Sequence, residues 1–172
     1  MAFYEITPYE LGNASELVGK DMMLITVEDK EKGRINAMTA SWGSFGVLWN
    51  KNIAVCFIRQ SRYTYPLAEE SERFSLAFFG GERRDALAFC GKVSGRDTDK
   101  LVELGFHTEK LDGVSVIEEA KTVVICRKLY TDMIDPSGFE DKELFDRYYS
   151  DGDLHRVFVC EIEKVYTKKE DL

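Results

Sequence analysis

The stretch KTVVICRKLYTDMID, residues 121–135, narrows the choice of fold more than any other part of the chain. Val123, Ile125, Arg127 and Leu129 alternate with Val124, Cys126, Lys128 and Tyr130. Side chains point to opposite faces along a strand, so neither face of this segment is cleanly polar. Such a strand has to sit centrally in its fold or be covered by a second chain, which hints at a dimer. The same alternation predicts strands at 22–28, 35–42, 53–58, 74–79, 122–133 and 157–166. Turn-like runs separate the early ones, DKEKGR after the first and LWNKN after the second.

Helical patterns are fewer and fall in the middle of the chain. They cover 64–71, with Thr64 as N-cap and Pro66 in the first turn, then 83–91 and 97–104, the last opening on the acidic and hydroxyl residues RDTD. Strands with helices inserted between them, rather than in strict alternation, argue against a doubly wound parallel sheet. A mainly β architecture, a small antiparallel barrel decorated with short helices, is expected. At 172 residues it is expected to be one domain, 1–172, long enough to bury a core without staples.

Net charge is −8, which speaks against nucleic acid as a partner, because phosphate backbones need a positive footprint. An anionic ligand would have to be gripped by a local cationic cluster. The four cysteines, Cys56, Cys90, Cys126 and Cys160, form no CxxC pair and read as free thiols in a reducing compartment. Neither His107 nor His155 has ligand spacing to a cysteine, so no metal is expected. MAFYEITPYELG has no basic region followed by an apolar run, and no stretch of 18 apolar residues occurs. A cytoplasmic protein that does not enter a membrane is the expectation.

Four stretches could carry chemistry. In NAMTASW, residues 36–42, Asn36, Met38, Ala40 and Trp42 share one strand face, and Ala37, Thr39 and Ser41 the other. Small residues and hydroxyls let a flat ligand approach and bond its polar rim; the plainer alternative is an edge strand with Met38 and Trp42 in the core. In RQSRYTYP, residues 59–66, Arg59, Arg62, Ser61 and Thr64 precede or open a helix. Guanidinium groups and free helix-start N–H groups suit an anion, although a solvated, capped turn would read the same way. CGKVSGRDTDK, residues 90–100, sets Lys92, Ser94 and Arg96 among Gly91 and Gly95 ahead of another helix, without Walker spacing. In DGDLHRVFVCEIEKVY, residues 151–166, His155 stands at the mouth of a strand, where it is a general acid/base, a contact for a bound ring or a surface residue. No serine or cysteine has a nucleophile context. The acidic runs EEAK, FEDKELFD and DGD read as solvated faces.

In this order, NAMTASWG, IRQSRYT and KVSGRDTDK resemble the flavin reductase-like FMN-binding family, in particular its flavoredoxin branch, over roughly residues 17–166. The resemblance implies an antiparallel split β-barrel of Greek-key type, a homodimer with FMN at the subunit interface. Met38, Thr39, Ala40 and Ser41 would line the flavin, with Trp42 beside it. Arg59, Ser61, Arg62, Tyr63 and Thr64 would surround the phosphate, with Ser94, Arg96 and nearby Lys92 completing the site. GDLHRVF is similar to the family's Gly-Asp-His strand opening, with Leu154 inserted before His155; that histidine is the catalytic candidate. NAD(P)H would dock transiently, in keeping with the lack of a GxGxxG fingerprint. The expected activity is hydride transfer from NAD(P)H to bound FMN or free flavin and onward to an acceptor. The alternatives are a flavoredoxin-like carrier reduced by a redox protein partner and a flavin-binding module without turnover.

Overall fold

The computed structural model describes residues 2–169. Its strands are β1 (Phe3–Ile6), β2 (Met23–Asp29), β3 (Arg34–Ala40), β4 (Gly43–Leu48), β5 (Lys51–Arg59), β6 (Arg73–Phe78), β7 (Thr108–Leu111), β8 (Val114–Ile117), β9 (Thr122–Met133) and β10 (His155–Lys168). Its helices are α1 (Thr64–Glu70), α2 (Arg84–Lys92), α3 (Lys100–Glu103) and α4 (Lys142–Tyr149). Among the described residues no helix is long and apolar enough to cross a membrane.

The main sheet runs β3-β2-β6-β9-β10-β5-β4, antiparallel throughout. β10 keeps β9 along one edge and divides the other: residues 155–161 pair with β5, and residues 165–168 pair with β1. Register shifts between Val159 and Cys160 and between Ile162 and Lys164 increase the local twist, as bulges do. The sheet curls until β3, at one end, comes against β5 near the other, leaving a split between them. This is the antiparallel split barrel the sequence predicts.

Alternation fixes which residues fill it. Met23, Ile25 and Val27 on β2, Phe74, Leu76 and Phe78 on β6, and Ala54, Cys56 and Ile58 on β5 are spaced by two and share one core. Phe74 and Phe158 meet edge to face at 6.4 Å inside it. The opposite faces of β2, β3, β6 and β9 carry Leu24, Ala37, Ala77 and Val123 into a second cluster. α2, α3 and β8 close that cluster with Leu87, Cys90, Leu101, Val116 and Ile117. The two apolar faces of residues 123–126 are therefore covered from within the chain. Beyond Arg127, β9 pairs with β10 alone and becomes half-exposed, with Tyr130 at the surface.

Several local expectations shift. β3 stops at Ala40, and residues 41 and 42 turn directly into β4, a strand that glycine-rich GSFGVL does not advertise. The LWNKN turn instead joins β4 to β5, with Leu48 opposite Lys51 and positive φ at Trp49 (53°) and Asn50 (56°). Two such residues make a type I′ hairpin. Gly43 is required because a Cβ there would collide with the Val55 carbonyl oxygen. Thr64 is not an N-cap: Tyr63 precedes the helix, and the Thr64 hydroxyl accepts from the Asn36 amide at 2.8 Å. α3 starts later than predicted because the Asp99 carboxylate accepts from the N–H groups of Leu101 and Val102. Trp42 is not in the core; it is 41% exposed.

Phe158→Ala should lower unfolding stability by about 3–5 kcal/mol, since a fully buried ring leaves a cavity among close-packed neighbours. Val102→Ala, at a position 72% exposed, should change it by less than about 0.5 kcal/mol. Urea titrations of both variants check the contrast.

Candidate functional site

The split brings together the end of β3, the end of β5 and the start of β10. His155 pairs with Arg59 across the β5–β10 ladder, so the turns that follow β5 and precede β10 lie side by side. Asp153 fastens them. Its carboxylate accepts from the Ser61 N–H at 3.0 Å and the Ser61 hydroxyl at 2.6 Å. Arg59 donates to the carbonyl oxygens of Asp153 (2.7 Å) and Tyr148 (2.9 Å), which ties in the end of α4. Burial raises the Asp153 pKa, but the Ser61 donors and the Arg59 charge outweigh it and hold the carboxyl below its ordinary value.

A cavity of about 510 Å³ opens here, lined by Met38, Thr39, Ala40, Ser41, Trp42, Phe57, Arg59, Ser61, Arg62, Tyr148, Asp151, Asp153 and His155. All five β3-end residues singled out in the sequence line it. A narrower cavity of about 140 Å³ adjoins it through Met38, Ser61 and Arg62. Tyr63, Thr64, Lys92, Ser94, Arg96 and Lys100 line its other walls. Arg59 is absent from this second lining; its donors serve the Asp153 turn. The Thr64 hydroxyl, which accepts from Asn36, lines this cavity. The Arg62 guanidinium donates to the Gly91 carbonyl at 2.8 Å, and that of Arg96 donates to the Ser61 carbonyl at 3.3 Å.

Gly95 lets the 93–99 loop approach β3: a Cβ there would overlap the Asn36 amide and the Tyr63 ring. Arg34 and Lys32 both donate to the Gly95 carbonyl, and Lys32 and Arg96 each lie over the Tyr63 ring. Tyr63 in turn donates to Asp29 at 2.7 Å.

Lys100 escapes a reading of the sequence, where it is one of many lysines within a helix pattern. In the fold it is 5% exposed and donates to the Cys90 carbonyl at 3.2 Å. Burial pushes its pKa down, and the Arg62 and Arg34 charges push it further. Lys92, Arg62, Arg96 and Lys100 thus converge on a small cavity that no carboxylate lines. By contrast, an open depression of about 630 Å³ behind the β2–β3 hairpin pairs its charges internally, Lys110 with Glu28 and Arg34 with Asp29.

His155 opens β10 directly after Leu154. Gly152 takes φ 75°, and the Leu154 carbonyl accepts from the Gln60 N–H. The imidazole is 8% exposed, 4.9 Å from the Trp42 ring centre, and bonded through Nδ1 to the Tyr149 hydroxyl at 2.9 Å. Burial, helped by Arg59, lowers its pKa to about 4, so the ring is neutral at pH 7 and its Nε2 is left for the cavity. Below pH 6.5 the unfolded chain takes up a proton that the folded ring refuses until about pH 4. Stability should therefore fall as pH drops through that window, by on the order of 2 kcal/mol at about pH 5. Urea midpoints at pH 7 and 5 for the chain and for His155→Gln check this; the variant should lose that part of the acid dependence.

Comparison with known proteins agrees with this fold. The chain is 30% identical to the uncharacterized protein YddH of Escherichia coli K12 over 115 residues, 65% of this chain and 60% of that protein's length. Flavoredoxin of Methanosarcina acetivorans superposes with a TM-score of 0.65 at 23% identity, covering 88% of this chain and 70% of that one. The styrene monooxygenase flavin reductase of Pseudomonas putida S12 does so with a TM-score of 0.65 at 15% identity, covering 88% and 81%. A sequence model of the flavin reductase like domain matches residues 16–172, and the chain belongs to that family.

Proposed function

We propose that the chain binds FMN across the two joined cavities and works as an NAD(P)H-dependent flavin oxidoreductase. A flavin-related redox role already follows from the family; the choice of FMN rests on one observation. Lys100, a nearly buried ammonium with a single carbonyl partner, faces a cavity also lined by Arg62, Lys92 and Arg96. In a chain of net charge −8, so many cations without a lining carboxylate suit a terminal phosphate. The residues present fit the group, and the 140 Å³ volume suits a single phosphoryl end.

Ser61, Arg62, Thr64, Ser94, Arg96 and Lys100 would hold the phosphate, with Lys92 at the rim and Tyr63 walling the loop. Met38 to Ser41 would support the ring system, with Trp42 at its edge. Bound FMN supplies two-electron chemistry that no side chain here can perform. His155, neutral and fixed by Tyr149, would offer Nε2 to the bound ring or to the nicotinamide. A flavoredoxin-like carrier is the second reading, favoured because the only carboxylates among the described residues lining the larger cavity are Asp151 and Asp153, both paired with Arg59.

The purified protein should be yellow or take up FMN, and NADH or NADPH should bleach it within seconds; bleaching only by a reduced redox protein would select the carrier. Arg62→Ala should weaken FMN binding by about 1.5–3 kcal/mol. Lys100→Met should weaken it comparably while leaving the flavin-free chain no less stable, because it removes a buried charge. Calorimetric FMN titration and urea denaturation measure both.

A second copy of the chain is the partner we propose for the ridge formed by Val47, Leu48, Trp49 and Tyr130, all exposed, with Trp49 and Tyr130 in ring contact at 6.4 Å. Trp49→Asn tolerates the positive φ of the turn and should shift sedimentation from dimer to monomer without unfolding.

A further inference from the structure

α4 and the turn before it build a third cavity against the split. Trp42, Phe57, Phe139, Leu144, Tyr148 and Tyr149 surround about 380 Å³, and no charged side chain lines it. It shares Trp42, Phe57 and Tyr148 with the larger cavity. A molecule lodged there would lie beside whatever occupies the space over β3.

Its walls are held in place. Trp42 and Tyr148 meet edge to face at 5.3 Å, and Phe139 packs on Tyr149 at 5.7 Å. Tyr149 is bonded to His155, and Arg59 holds the Tyr148 carbonyl. Trp42, Leu144 and Tyr148 are nevertheless 41%, 44% and 38% exposed. A rigid, aromatic, incompletely covered slot of this size matches small-molecule sites, which are preformed and mostly apolar.

The lining also selects by charge. The phosphate-sized cavity has four cations, and the larger one mixes Arg59 and Arg62 with Asp151 and Asp153. The aromatic slot has neither sign, so an ionised ligand would lose hydration there without compensation. The Tyr149 hydroxyl is engaged by His155, whereas among the described residues the Tyr148 hydroxyl has no hydrogen-bond partner. It remains free to donate to an oxygen on the ligand.

We propose that this slot is a binding site for a neutral, planar aromatic molecule bearing one hydrogen-bond-accepting oxygen. The proposal deepens the flavin reading by naming the chemistry of what sits beside the cofactor, and rests on it for that purpose, although the slot itself is built by this chain alone.

Calorimetric titration of the full chain, with and without FMN, tests it using two isosteric probes, 2-acetylnaphthalene and 2-naphthoate. The neutral ketone should bind saturably, and the carboxylate weaker by about tenfold or more. Leu144→Lys, at an exposed helix position, should weaken the ketone by about tenfold and reverse the preference in favour of the carboxylate. No saturable binding of the ketone, equal affinity for the two probes, or a Leu144→Lys variant with the original preference would each overturn the site. Ketone binding to a chain that refuses FMN would support the slot and overturn the flavin reading instead.

Discussion

Asp153 is the residue on which the geometry of the split depends. Its carboxylate takes both donors of Ser61 and its carbonyl takes a guanidinium N–H of Arg59, so one residue joins the turn after β5 to the turn before β10. Hydrogen bonds to a partly buried carboxylate are the stronger kind, and leaving such a group unpartnered is costly. The consequences reach beyond the two turns. With Ser61 fixed, Arg62 and Thr64 face the narrow cavity; with Arg59 fixed, the end of α4 is drawn in and Tyr149 meets His155.

The resulting site sorts charge over a short distance. Cations gather where the 93–100 loop meets α1, mixed charges line the middle, and uncharged, mostly aromatic side chains line the far side. Lys100 shows what this arrangement costs. A buried ammonium with one carbonyl partner opposes folding, and its depressed pKa is the same penalty seen from the titration side. An anion arriving in that cavity would relieve the penalty, so the chain alone is less favourable than the chain with its ligand. That coupling is what ties the phosphate reading to a specific residue rather than to a general excess of basic groups.

Much of the barrel is legible because alternation survives wherever a strand has one partner layer per face. β9 matches its predicted bounds, 122–133, because the apolar run and its turn residues coincide. Its doubly apolar face is ambiguous in sequence, since α2, α3 and β8 cover it from distant positions and no local signal distinguishes them from a second chain. β4 is hidden by Gly43 and Gly46, and its hairpin by the use of Trp-Asn where Asn-Gly would be expected. α4 begins inside the acidic run FEDKELFD, which reads as a solvated face, and continues to Tyr149. It is indeed solvated on one side, but Leu144, Tyr148 and Tyr149 turn its other side to the slot. The β3-end residues and the two cationic loops are recognisable as an ordered set. Lys100 is not, because only burial separates it from a surface lysine.

The turn from Gly152 to Leu154 sets the face on which His155 enters its strand. An extra residue within the strand would flip every following side chain to the other face. Here the turn closes before the ladder begins: Gly152 adopts a left-handed conformation, and the Leu154 carbonyl takes the Gln60 N–H that the turn would otherwise leave unpaired. His155 then enters opposite Arg59, in register with Phe158 and Cys160 behind it. Its neutrality follows from that placement. A ring held beside Arg59, under Trp42 and against the Tyr149 hydroxyl gains nothing from a proton near pH 7. The imidazole thereby adds no charge of its own beside the aromatic slot, while the opposite side of the split gathers cations.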